Sequence, residues 1–102
     1  MPTKITVIYD NPTDPDAFEA GYPEQVTLAK ALPGLVRVES AKVWPKEDGS
    51  PTPAYRQVDL YFTDYDAASA AVATEQAAAL FPSIFGLATG GVRILFSDIE
   101  ES

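Results

Sequence analysis

The chain contains neither cysteine nor histidine. Without thiols it has no disulfide, no thiol nucleophile, no thiolate metal site and no iron–sulfur cluster. Without imidazole it lacks the usual general base near neutral pH and the commonest metal ligand, which also removes haem binding through an axial histidine. Any chemistry must rest on carboxylates, tyrosines, lysines or a borrowed cofactor, and the residues name no cofactor. Basic residues are scarce as well, 7 against 15 acidic ones, for a formal net charge of −8. Such a field repels nucleic acid and anionic membrane surfaces, both of which are bound through basic patches that release counterions. No apolar run approaches the ~20 residues of a membrane helix. Met1-Pro2-Thr3-Lys4 leads directly into a strand-like run with no signal-peptide core. These absences predict a cytoplasmic protein with no nucleic-acid or membrane partner.

The 102 residues suffice for one domain, 1–102, and one core. With 46% hydrophobic and 22% charged residues the composition is globular, not disordered. A domain this small buries a reduced fraction of its surface, so covering an exposed sheet by dimerisation would help it.

Lys4 to Tyr9 alternates and is rich in β-branched residues, which predicts the first strand. Asp14-Pro15-Asp16 reads as a helix start, with a cap, a proline at the first helical position and an acid at the positive dipole end. Gly21 and Pro23 predict a short turn and a kink, with a second helical stretch from Pro23 to Leu32. Leu35 to Trp44 reads as strand two and Pro45 to Ala54 as a hairpin loop. Tyr55 to Phe62 is strand three, with Val58, Leu60 and Phe62 on one face and Tyr55, Gln57, Asp59 and Tyr61 on the other. Asp64 caps an alanine-rich helix to about Leu80, followed by an apolar connector, Phe81 to Thr89. Gly90-Gly91 turns into strand four, Val92 to Phe96, and an acidic tail ends the chain. The order β-α-β-β-α-β is the ferredoxin-like split motif, an α+β fold with two helices on one face of a four-stranded antiparallel sheet. The other face, expected to mix Tyr or Ile with polar groups, must stay wet or meet a partner.

Two stretches resemble the EthD family of the dimeric α+β barrel superfamily. One is Asp14-Pro15-Asp16-Ala17-Phe18, continuing through Leu28-Ala29-Lys30-Ala31-Leu32-Pro33-Gly34-Leu35. The other is Ala88-Thr89-Gly90-Gly91-Val92-Arg93-Ile94-Leu95-Phe96, with Leu60-Tyr61-Phe62 and Asp64 between them. The resemblance implies a homodimer whose two sheets pack face to face into a barrel, with a pocket for a small apolar ligand between sheet and helices in each protomer. It also implies an oxidoreductase, or an accessory protein to one, in the catabolism of ethers or aromatics. Family members are often labelled reductases, and the name comes from a fuel-ether degradation system in which a cytochrome P450 does the oxidation. The family's His-x-Pro step before the Leu-Ala pair is here Gln25-Val26-Thr27. Glutamine can orient a ligand but cannot shuttle protons near pH 7, so no histidine-based role carries over.

Phe18, Tyr22, Gln25, Val26 and Ala29 share one face of the first helix by their spacing. Gln25, the only amide there, is either a ligand contact beside Tyr22 at a pocket mouth, a buried amide satisfied by backbone, or a residue turned to solvent by the kink. Asp59 is either an acid or base whose pKa rises in a barrel interior, or a structural partner of Arg37 or Arg93 across a dimer. Trp44, Phe81, Ile84, Phe85 and Leu87 either line an apolar pocket or belong to the core. The candidate catalytic residues are thus Asp59 and Tyr22, and the candidate substrate-binding residues Gln25, Tyr61, Trp44 and Phe85, with no metal site. Two functions follow. One is an enzyme or accessory protein binding an apolar metabolite, with proton-transfer or cofactor-free oxygen chemistry by analogy with barrel relatives. The other is a non-catalytic dimeric ligand-binding or assembly module. Tyr9 and Tyr61 stand on the strands where RNA-recognition domains place stacking residues, but the charge of −8 and the lack of a basic–aromatic pattern oppose that reading.

Overall fold

The computed structural model describes residues 1–101. Its elements run β1 (Thr3–Tyr9), α1 (Pro15–Lys30), β2 (Arg37–Lys42), β3 (Arg56–Phe62), α2 (Tyr65–Ala71), α3 (Glu75–Leu87) and β4 (Val92–Asp98). The strands form one antiparallel sheet in the order β2-β3-β1-β4. This is the expected α+β plan, with the second helix divided in two.

The register explains the core. Ile5 lies opposite Leu60 and Val7 opposite Val58, so one alternating set of β1 and β3 side chains points under the helices. Those residues, with Tyr9, Phe62, Leu80 and Ile84, are almost fully buried. Each such side chain contributes about 1.5–3 kcal/mol through removal of apolar surface from water.

Helix α1 corrects the expectation of a break at Gly21–Pro23, since it runs unbroken for 16 residues with Pro23 inside. Its start is as read: the Asp14 carboxylate accepts from the Ala17 N–H at 3.2 Å. The helix survives the missing proline donor because its buried stripe of Phe18, Tyr22, Gln25 and Ala29 packs on the sheet, and packing outweighs local propensity. Gly21 serves that packing, because a Cβ there would lie 2.8 Å from Leu87 Cδ2 on α3.

The alanine-rich helix is also corrected. It ends at Ala71, and α3 begins after Thr74 at an angle of 79°. Thr74 makes the corner by accepting from Ala77 N–H and donating to the Ala71 carbonyl at 2.6 Å. The stretch expected as a connector from Phe81 is helical to Leu87, because Ala77, Leu80 and Ile84 form one buried stripe and tertiary packing again overrides Pro82 and Gly86. No single described helix is long and apolar enough to cross a membrane.

The Ala88-Thr89-Gly90-Gly91 run is a clamp on the β1–α1 turn. Thr89 Oγ1 accepts from Thr13 N–H at 3.0 Å, and the Gly91 carbonyl accepts from Asp10 N–H at 3.0 Å. Gly90 lies so near Asn11 that a Cβ would stand 1.9 Å from its carbonyl oxygen, and Gly91 has φ +112°. Strand two is shorter than expected, although Val36 and Val43 each extend its pairing by one backbone hydrogen bond.

Candidate functional site

The layer between α1 and the sheet is filled with aromatic rings. Phe18 stacks on Tyr22 at 5.4 Å between centroids and meets Tyr9 edge-on at 5.0 Å. The Arg56 guanidinium lies 4.5 Å from the Tyr22 ring centroid and is paired with the Glu19 carboxylate, which also accepts from the Tyr55 hydroxyl at 2.7 Å. Gln25 is 1% exposed, and its Oε1 accepts from the Tyr9 hydroxyl at 3.2 Å. The Tyr22 hydroxyl lies 2.5 Å from Ser40 Oγ. Gln25 is thus a buried amide whose oxygen is held by a side chain, a partner its helical spacing did not reveal. Burial pushes the Tyr9 phenol far above its ordinary range, with Tyr22 adding to the effect. Burial raises Tyr22 too, against the opposing hydrogen bond to Ser40. Both phenols are neutral at physiological pH, so Tyr22 offers no phenolate as a base. Among the described residues, Arg56 Nε is the buried side-chain atom without a hydrogen-bond partner.

The opposite face of the sheet carries no helix. Across it the register sets Arg37, Tyr61, Lys4 and Ser97 in one row, Glu39, Asp59, Thr6 and Leu95 in the next, and Ala41, Gln57, Ile8 and Arg93 in a third. Most of these side chains are polar, so this face is far less apolar than a core surface. Asp59 lies at its centre and is only 8% exposed. Its carboxylate accepts from Thr6 Oγ1 at 2.6 Å and Gln57 Nε2 at 3.1 Å, with Lys4 Nζ at 3.7 Å. Within the chain Arg37 pairs with Glu39 and lies over the Tyr61 ring, and Arg93 pairs with Asp10. The Tyr61 hydroxyl donates to Glu39 at 2.6 Å, which raises its pKa more than burial does.

At one edge of this face a groove of about 540 Å³ is lined by Pro2, Lys4, Val36, Tyr61, Thr63 and Ile99, among others. Trp44 is 86% exposed in the β2–β3 loop, beside a cavity of about 440 Å³. Phe85 is 58% exposed on α3 and stacks on Phe81.

The six candidate residues therefore fall in four places. Tyr22 and Gln25 belong to the aromatic layer under α1, Asp59 and Tyr61 to the uncovered face, and Trp44 and Phe85 to separate surfaces. The sheet stands between Asp59 and Tyr22, so they cannot act on one reacting atom. Tyr9 also lies under the helices, opposite the face on which Tyr61 stands, which removes the pair of stacking tyrosines. The residues that complete these clusters, Lys4, Thr6 and Gln57 on one side and Ser40, Arg56 and Glu19 on the other, carry no motif. Strand parity and register were the available signals for the first set.

Helices on one face of a β2-β3-β1-β4 antiparallel sheet define a protein of the ferredoxin-like α+β class. An EthD family protein from Bacillus halodurans C-125 superposes with a TM-score of 0.88 at 20% identity, over 97% of this chain and 99% of that one. A dimeric ferredoxin-like protein of unknown function from Thermobifida fusca matches with a TM-score of 0.71 at 16% identity, over 97% and 92% of the two chains. No family model matches the sequence. An uncharacterized 11.0 kDa protein of the thcB–thcC intergenic region of Rhodococcus erythropolis is 33% identical over 98 residues, 95% of this chain and 94% of its own length. The chain belongs to the same family as that protein.

Proposed function

We propose that the protein is a homodimeric, non-catalytic EthD-like binding module that holds a small apolar molecule in the groove at the Tyr61 edge of its sheet, in an accessory role in small-molecule catabolism. One observation carries this reading. The space expected to form a pocket beneath α1 is occupied by Phe18, Tyr22, Tyr9 and Arg56, whereas the groove beside Tyr61 is open, walled by Val36, Ile99, Pro2 and an aromatic ring. Its size falls within the range of roughly 300–1,000 Å³ typical of small-molecule sites. Lys4 and Arg37 at its margin suit a ligand with an acidic group. A dimeric relative in fold supports the pairing of copies, and a sequence relative encoded between two thc genes supports an accessory role.

The test is native mass spectrometry of freshly purified protein, with anilinonaphthalene sulfonate as an apolar anionic probe. A dimer mass is expected, with probe binding weakened at least about fivefold by Tyr61→Ala and left unchanged by Gln25→Ala. Equal binding by wild type and Tyr61→Ala would overturn the groove assignment.

A further inference from the structure

The groove beside Tyr61 is set apart by its charge. Two of its eight lining residues are cations, Lys4 and Arg37, and none is a carboxylate. The chain as a whole carries 15 acidic residues against 7 basic ones. An anion is therefore drawn to this groove and repelled by the net field of the remaining surface. The walls at Pro2, Val36 and Ile99 offer apolar side chains only.

The register places the two cations on either side of one ring. Tyr61 pairs with Arg37 on β2 and with Lys4 on β1, so the two cations are about 10 Å apart at their Cα atoms with the phenol between them. Two long side chains can converge over that ring on a single carboxylate. One carboxylate is already held there in part. Glu39 accepts from the Tyr61 hydroxyl at 2.6 Å and lies 3.4 Å from Arg37 Nη2. Both ends of that ion pair are more than half exposed, so it costs little to separate. The Arg37 guanidinium also lies 4.3 Å from the Tyr61 ring centroid. Guanidinium and phenol are the partners an acidic ligand requires, and Glu39 stands where the acid of that ligand would bind. Beyond Lys4 the adjoining hollow is lined by Asp98, Glu100 and Glu101, which leaves no favourable place for a second negative charge.

We propose that the ligand of the groove is a small apolar monocarboxylic acid, that Arg37 and Lys4 hold its carboxylate on either side of Tyr61, and that Glu39 occupies Arg37 until the ligand displaces it. This rests on the groove reading given above and names its ligand class. Glu39 then sets selectivity: as the internal competitor it weakens every anionic ligand and leaves neutral ones unaffected.

The experiment is isothermal titration of the full chain with 3-phenylpropanoate and with its alcohol and amine counterparts. The acid should bind at least about tenfold more tightly than the alcohol, and the amine most weakly. Arg37→Met should abolish the preference for the acid without changing the alcohol. Glu39→Gln should tighten the acid about threefold and leave the alcohol unchanged. Glu24→Gln removes the same charge from α1, on the opposite side of the sheet, and should change neither. Phenylsuccinate, with a second carboxylate, should bind less tightly than the monoacid; equal or tighter binding overturns the single-charge assignment. Equal binding of acid and alcohol, with both weakened by Tyr61→Ala, overturns the ligand class and leaves the groove standing. Failure of all three phenylpropyl compounds also overturns the class, and the groove falls with it if anilinonaphthalene sulfonate binding is indifferent to Tyr61→Ala. Tightening by Glu24→Gln equal to that by Glu39→Gln would assign the effect to net charge and overturn the role of Glu39.

Discussion

Gln25 shows how one residue changes the reading of a whole region. Its side chain is buried beside the aromatic layer and its oxygen is held by the Tyr9 hydroxyl, so that oxygen serves the core. Removing one partner leaves the other buried and unpaired. Gln25→Leu and Tyr9→Phe should each cost about 1–3 kcal/mol, whereas the double variant should cost less than their sum by about 0.5–1.5 kcal/mol, measured by urea unfolding. The same tyrosine predicts an alkaline limit. An unperturbed phenol titrates near 10, and in the folded chain both Tyr9 and Tyr22 titrate higher. Stability from keeping them neutral is complete below about pH 10 and is lost above it, because the unfolded chain then releases protons that the folded chain still holds. The urea midpoint should thus be level from about pH 7 to 9 and fall from about 10 to 11, less steeply in Tyr9→Phe. A fall of equal slope in both proteins would assign the limit to other groups.

At the scale of elements, the short connections decide more than the helix propensities. Pro23 and Pro82 lie inside helices that packing sustains, while the real break falls at Thr74, within an alanine run of high propensity. Thr74 can leave the helix because its hydroxyl satisfies backbone groups on both sides of the corner. Thr74→Ala should cost about 1 kcal/mol, the usual value of a lost cap, seen as a lowered urea midpoint with unchanged slope. The Gly90 position is stricter. A methyl group there meets the Asn11 carbonyl, which belongs to the turn after β1 and cannot swing away as a side chain would. Gly90→Ala should cost about 3 kcal/mol or more, whereas Gly86→Ala, which meets nothing within 4 Å, should be neutral or slightly stabilising. The stretch that resembles a family signature is therefore conformational in role: it ties the entry of β4 to the exit of β1.

The whole molecule is a slab, 40 × 31 × 17 Å, with a radius of gyration of 14.0 Å. It is thin because helices cover one side of the sheet only. A compact chain of this length would have a radius near 13 Å, and a compact pair near 17 Å. Small-angle scattering should return about 17 Å at micromolar concentration if two slabs stack on the sheet face; a value near that of the single chain would exclude the pairing.

Element order, sheet topology class, net charge and the absence of thiol and imidazole chemistry were determined by the sequence alone. Alternating Lys4–Tyr9 and Tyr55–Phe62 and the capped start at Asp14 are local patterns, and local patterns report directly on local backbone. Tyr9, set beside Tyr61 on sequence as a possible stacking residue, lies instead under the helices with Ile5 and Val7. Tertiary structure decided which spaces are filled and which are open. Whether Gln25 faces a cavity or a tyrosine hydroxyl depends on the rings of Tyr9, Phe18 and Tyr22 and on the Arg56 guanidinium, groups up to 47 positions apart in the chain. The polar character of the uncovered face likewise arises from register, which sets Lys4, Thr6 and Gln57 around Asp59 although no spacing in the chain announces the cluster. Periodicity says which side chains share a side of a strand; only the packed molecule says what lies against that side.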